Sequence, residues 1–156
     1  MSFENAFVKE PLSILMYSHD GFGLGHLRRN LLLSRCASKR FENVRILLLI
    51  GHQHFPFTSL LPYGADYVKL PSLIKVDTGQ WKARSLPLSN HELLKLRRSI
   101  IQEVANVFHP NLFLVDYTPT GVWGELLPIL EAMSKKAHRP KIVLGLRDII
   151  DQPDIT

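Results

Sequence analysis

The chain has 156 residues, 46% of them apolar and 21% charged, which suits one compact domain with a real core. Its net charge of +5 favours anionic partners such as phosphates, but the basic residues are spread along the chain and no nucleic-acid partner is expected. A single cysteine, Cys36, excludes an internal disulfide, and no apolar run approaches the ~20 residues of a membrane span; together these imply a cytoplasmic protein with at most peripheral membrane contact.

Residues 1–12 lack an apolar leader segment and read as an N-terminal tail. The apolar run at 13–18 predicts a strand, and a leucine-rich amphipathic pattern over 26–40 predicts a helix. Between them runs Tyr17-Ser18-His19-Asp20-Gly21-Phe22-Gly23-Leu24-Gly25-His26-Leu27-Arg28-Arg29-Asn30. Glycines at alternate positions let the backbone turn sharply and approach a ligand closely. The helix that follows aims free N–H groups and a positive dipole end at the loop, which suits phosphate. Gly21, Gly23, Leu24, Gly25, Arg28 and Arg29 are therefore candidate ligand-binding residues, and His26 at the helix mouth is a candidate proton acceptor. Cys36 lies on this helix and is expected to be a buried thiol.

Further strands are expected at 44–50, 66–70, 112–116 and 141–146. Several are apolar at consecutive positions, as in parallel strands buried on both faces. The segments 51–64 and 71–88 read as long loops. A helix is expected over 89–108, capped by Ser89 or Asn90, with Leu93, Leu96, Ile100, Val104 and Val107 as its apolar stripe. A last helix spans 122–137, with a kink or fresh start at Pro128. Strand–helix alternation implies right-handed crossovers and an α/β, Rossmann-like domain over 13–150. The sheet is parallel, of order about 3-2-1-4-5, with helices on both faces. Residues 151–156 read as the start of a linker.

In such sheets ligands bind beyond the carboxyl ends of the strands, at the switch point between the first and fourth. His26 and Asp116 are placed there. A carboxylate on the second ring nitrogen would fix the tautomer and stabilise the protonated ring. The alternative is that Asp116 caps a turn and His26 caps the helix. Arg147, after the fifth strand, is a candidate anion clamp or an ion-pair partner of Asp148. Arg97 and Arg98 are expected on a solvated helix face, and His52 and His54 lack the neighbours a metal site needs, so no metal is expected. Gly25-His26-Leu27 departs from the P-loop. The histidine in a glycine position, and the lack of an acid after the second strand, depart from the dinucleotide fingerprint.

Strand, glycine loop ending in Gly25-His26, then helix resembles the first loop of GT-B glycosyltransferases, notably the lipid II-forming N-acetylglucosaminyl transferases. The same loop, with Leu114-Val115-Asp116, Gly124-Glu125-Leu126-Leu127-Pro128 and Val143-Leu144-Gly145-Leu146-Arg147-Asp148, resembles a bacterial group of predicted glycosyltransferases. One departure from the lipid II enzymes is Leu24 standing between Gly23 and Gly25, where they have adjacent glycines. The resemblance implies the acceptor-side half of a GT-B architecture, in an inverting, metal-independent transferase. It casts His26 as base and Asp116 as its partner. It requires no cofactor beyond a nucleotide-sugar co-substrate, UDP-linked, and admits a lipid-linked acceptor. The donor-binding domain would be a C-terminal partner in cis or in trans, and the chain alone would be inactive. Rival readings are a non-catalytic phosphate-binding module and half of an enzyme like the nucleotide-sugar 2-epimerases.

Overall fold

A computed structural model describes residues 10–18, 24–77 and 80–146. Its elements run β1 (Leu12–Ser18), α1 (Gly25–Arg40), β2 (Val44–Ile50), β3 (Ala65–Lys69), β4 (Leu73–Asp77), β5 (Gln80–Ala83), α2 (Asn90–Phe108), β6 (Leu112–Asp116), α3 (Leu127–Ser134) and β7 (Lys141–Gly145). Five strands form one sheet in the order β3-β2-β1-β6-β7, and every pairing in it is parallel. Counting only the strands of this sheet, that is the expected 3-2-1-4-5 order of a Rossmann-like α/β domain.

The period-2 alternation of side chains sorts the core into two layers. On one face Ile14, Met16, Ile46, Leu48 and Ile50 pack with Leu27 of α1. On the other, Leu15, Tyr17, Leu49, Phe113 and Val115 pack with Ile101 and Ala105 of α2 and with Ile129 and Met133 of α3. Helices thus cover both faces. The edge strand β7 is less covered: Ile142, Val143 and Leu144 are all exposed.

Four expectations are corrected. The segment 71–88 contains an antiparallel hairpin, β4–β5, outside the main sheet. Its strands are short, and Leu73 is their one buried core residue, so the alternation is faint. In α2 the buried line is Leu93, Arg97, Ile101 and Ala105, spaced four apart, while Leu96 and Val107 are exposed. The true line runs through a charged residue, which a search for apolar positions steps around. The last helix is shorter than 122–137: a 3-10 turn over Val122–Gly124 precedes α3, which has Pro128 in its first turn, where a missing N–H costs nothing. Cys36 is exposed rather than buried, because the buried stripe of α1 runs through Leu27, Asn30, Leu31 and Ser34.

Candidate active site

The site lies where β1 and β6, adjacent and parallel, end at the switch point of the sheet. Asp116 is the last residue of β6 and shares the α1 side of the sheet with Leu112 and Leu114. His26 is in the first turn of α1. The two meet with His26 Nδ1 and Asp116 Oδ2 2.8 Å apart. The carboxylate side chain is 1% exposed and the imidazole 11%, so the acid is sealed while the imidazole keeps some exposure. An acid held on Nδ1 fixes the tautomer in which that nitrogen carries the proton, and it stabilises the imidazolium once Nε2 takes a second one.

Arg29 takes the other carboxylate oxygen: its Nη1 donates to Asp116 Oδ1 at 2.7 Å and to the Leu146 carbonyl at 3.3 Å. Its charge is matched inside the protein, and it ties α1 to the ends of β6 and β7. Arg28, also named as a ligand residue, is exposed, with its guanidinium carbon 6.0 Å from the Phe57 ring centre. A side chain added at Gly25 would meet no atom of the described residues within 4 Å. Leu24 is partly buried against the α1-side core. Gly21, Gly23 and Arg147 lie outside the described residues.

A second polar network was missed by sequence reasoning. Arg97, expected on a solvated face, is fully buried and forks onto Glu125, Nε to Oε2 at 2.6 Å and Nη2 to Oε1 at 2.7 Å. Tyr17 donates its hydroxyl to Glu125 Oε1 at 2.5 Å, and Arg97 Nη1 donates to the Pro71 carbonyl. This network ties β1, α2 and the segment before β4 to the loop after β6. A signal was present in the sequence: Arg97 stands four residues from both Leu93 and Ile101.

That loop is strained. Tyr117 has φ 72° and is the centre of a three-residue turn closed by Thr118 N–H donating to the Asp116 carbonyl at 3.1 Å, a rare conformation for a bulky residue. Trp123 has φ 53°, and Gly121 and Gly124 both have φ 70°. Gly121 is required twice over, because a Cβ there would fall 2.9 Å from Leu126 Cγ and 3.0 Å from Glu125 Cγ. The turn brings the Tyr117 ring to 5.8 Å from that of His26, tilted by 42°. Beyond Tyr117 opens a cavity of about 420 Å³ lined by Lys75, Trp81, Thr118, Gly121 and Trp123. A concavity of about 450 Å³ at the opposite end of the sheet, between Pro11, Val44 and Tyr63, holds none of these groups.

His52 is occupied locally, with Nδ1 2.8 Å from the His54 carbonyl oxygen. Among the described residues no group of three or more His, Cys, Asp and Glu side chains could hold a metal ion, and no helix is long and apolar enough to cross a membrane.

No family model matches the chain, and no curated protein matches it. Among solved structures, the chain is similar to UGT2 from Phytolacca americana, complexed with UDP-2fluoro-glucose and pterostilbene: TM-score 0.48 and 18% identity over 78% of this chain and 29% of that one. It is also similar to a ugt transferase from Siraitia grosvenorii in complex with UDP, at TM-score 0.47 and 12% identity over 80% of this chain and 26% of that one. The chain therefore spans less than a third of the length of either structure.

Proposed function

We propose that the chain is the acceptor-side domain of an inverting, metal-independent GT-B glycosyltransferase. The observation that carries this reading is the His26–Asp116 contact of 2.8 Å at the switch point of the sheet. What supports it further is the sequence resemblance of the loop around Gly25-His26 and the topology of the sheet. In this reading Nε2 of His26 removes the proton from an acceptor hydroxyl as its oxygen attacks the anomeric carbon of a nucleotide-linked sugar. The bond from that carbon to the nucleoside diphosphate breaks, and the diphosphate leaves with the electron pair from the opposite face. Asp116 stabilises the imidazolium formed in that step. The donor, a UDP-sugar, is held by a second domain, in cis or in trans, and the chain alone does not turn over. The N-terminus of α1 takes an anionic group of the substrates, with Arg28 beside it.

The test measures transfer of labelled sugar from UDP-sugars by the domain joined to its donor-binding partner. His26→Ala is expected to lower kcat by about 10²–10⁴, the usual contribution of a positioned base. Substrate affinity is expected to change less, because the proton moves in the transition state. A His26→Ala protein with a lowered melting temperature and an intact kcat would show that the histidine only supports the fold.

A further inference from the structure

The main sheet has two edge strands, β3 and β7, and they are finished differently. In a parallel ladder, alternate residues of an edge strand turn their N–H and C=O away from the neighbouring strand. On β3 those residues are Ala65, Tyr67 and Lys69, because Ile46 N–H donates to the Gly64 carbonyl and Leu70 N–H to the Ile50 carbonyl, both at 2.8 Å. Two of their N–H groups are already taken: Ala65 N–H donates to the Pro62 carbonyl at 3.1 Å and Tyr67 N–H to Asp66 Oδ1 at 2.8 Å. The charges of Asp66 and Lys69 further discourage another strand from adding there.

Past Lys141, β7 has none of these devices. Lys141 N–H donates to the Asn111 carbonyl at 2.8 Å, and the Gly145 carbonyl accepts from Tyr117 N–H at 2.9 Å. Lys141, Val143 and Gly145 therefore bond towards β6, and Ile142 and Leu144 turn their N–H and C=O to the free edge. Among the described residues no strand lies beyond them. The side chains are apolar on both faces. Ile142 and Leu144 stand level with Phe113 and Val115 on the α2–α3 side, Val143 stands level with Leu114 on the α1 side, and all three are exposed. A bare apolar edge of this kind is a template for another strand.

We infer that β7 is the docking edge for a second copy of this chain, paired antiparallel about a two-fold axis at Val143. What selects a second copy is that the strand complements itself in this register, as an isologous contact requires. Ile142 of one copy falls opposite Leu144 of the other. These are the residues with outward backbone groups, so each such pair exchanges two N–H···O=C bonds. Val143 meets Val143 in the close, non-hydrogen-bonded position. Lys141 meets Gly145, so no like charges face each other. Moving the axis to Ile142 would set Leu144 against Pro140, which has no N–H to give. Moving it to Leu144 would set Ile142 against Leu146, whose carbonyl Arg29 already holds.

A strand of five residues makes a small interface, so the expected dimer is concentration-dependent. Sedimentation equilibrium of the whole chain, from micromolar to millimolar, tests it. The mean mass should rise from 17.8 kDa towards twice that value. Val143 is exposed in the single chain, so Val143→Lys and Val143→Glu should each keep the parent's circular dichroism. Each sets like charges face to face across the axis, and each alone should stay monomeric where the parent is half dimeric. Mixed in equal amounts, the two variants should associate again, because opposite charges then meet at the axis. A parent that stays monomeric throughout overturns the proposal. So does a dimer that survives Val143→Lys, or a mixture that stays monomeric. The pairing uses neither His26 nor Asp116. Its failure therefore leaves the proposed base standing, and an intact kcat in the His26→Ala protein leaves the dimer standing.

Discussion

Asp116 and Glu125 lie nine positions apart in sequence at the same end of the sheet, and each is 1% exposed. Each accepts from an arginine and engages one further ionisable side chain. They differ in face and in how exposed those partners are. Asp116 is on the α1 side, and its partners are partly exposed: His26 is 11% exposed and Arg29 37%. Glu125 is on the α2–α3 side, where Arg97 is 0% exposed and Tyr17 is fully buried. A carboxylate sealed among its partners can only hold the fold. One whose histidine partner is partly exposed can also take part in proton transfer. Alternation sends Tyr17 and Val115 to one face of the sheet while Asp116 takes the other, which keeps the two networks apart.

The sharpest way to break the comparison is to unpair the sealed carboxylate. Arg97→Ala leaves Glu125 buried without its cation, and a loss of about 3–5 kcal/mol in unfolding free energy is expected by chemical denaturation. The double variant Arg97→Met with Glu125→Leu removes both charges together and should recover much of that loss, because the desolvation penalty goes with them. A double variant no more stable than Arg97→Ala would mean that the network's hydrogen bonds to Tyr17 and Pro71, rather than its charge balance, carry the stability.

The open carboxylate should respond in the opposite currency. Asp116→Asn is expected to lower turnover of the complete transferase by at least about 10²-fold, since an amide permits the wrong imidazole tautomer and leaves the imidazolium unbalanced. Its stability should fall by less than that of Arg97→Ala, because Arg29 can turn to water. A melting temperature that drops as far as in Arg97→Ala would erase the distinction between the two carboxylates. Gly121→Ala should cost a smaller amount, roughly 1–3 kcal/mol, from strain at a positive φ and contact with Leu126 and Glu125. It should do so without touching the His26–Asp116 pair.

The topology was legible because its signals are local and repeated: consecutive apolar strands, a glycine turn, helical stripes and Pro128 at a helix start. The meeting of His26 and Asp116 was legible as well, because strand order alone carries both to the switch point. The Arg97–Glu125 pair was not. Burial of an arginine depends on a carboxylate 28 positions away, and no period in the sequence encodes that partnership. The strain at Tyr117 and Trp123 was hidden for the same reason, since neither residue type favours positive φ and only tertiary contacts impose it. The partnership of Arg29 with Asp116 likewise follows from packing α1 against the end of β6. From sequence Arg29 reads equally well as an anion ligand.

The smallest expected effect lies on neither carboxylate but at the start of α2, which carries Arg97 into the core. Ser89 caps this helix. Glu92 N–H donates to Ser89 Oγ at 3.3 Å, and Glu92 Oε2 accepts from the Ser89 backbone N–H at 2.9 Å and from its hydroxyl at 2.7 Å. Those hydrogen bonds, the hydroxyl's first, hold the Glu92 carboxyl below its ordinary value near 4.5. A carboxyl with a lowered folded-state pKa binds its proton more weakly in the folded chain than in the unfolded one. Its stabilisation is therefore complete above pH 4.5 and lost as the pH falls through the lower, folded-state value. Ser89→Ala should cost about 1 kcal/mol near neutral pH through the lost cap. The gap to the parent protein should narrow on acidification below the ordinary carboxylate range, where protonated Glu92 no longer favours the box. Denaturation curves for both proteins at neutral and acid pH check this: a gap that stays constant across the range would show that the cap acts through the serine alone, with no share from the charge on Glu92.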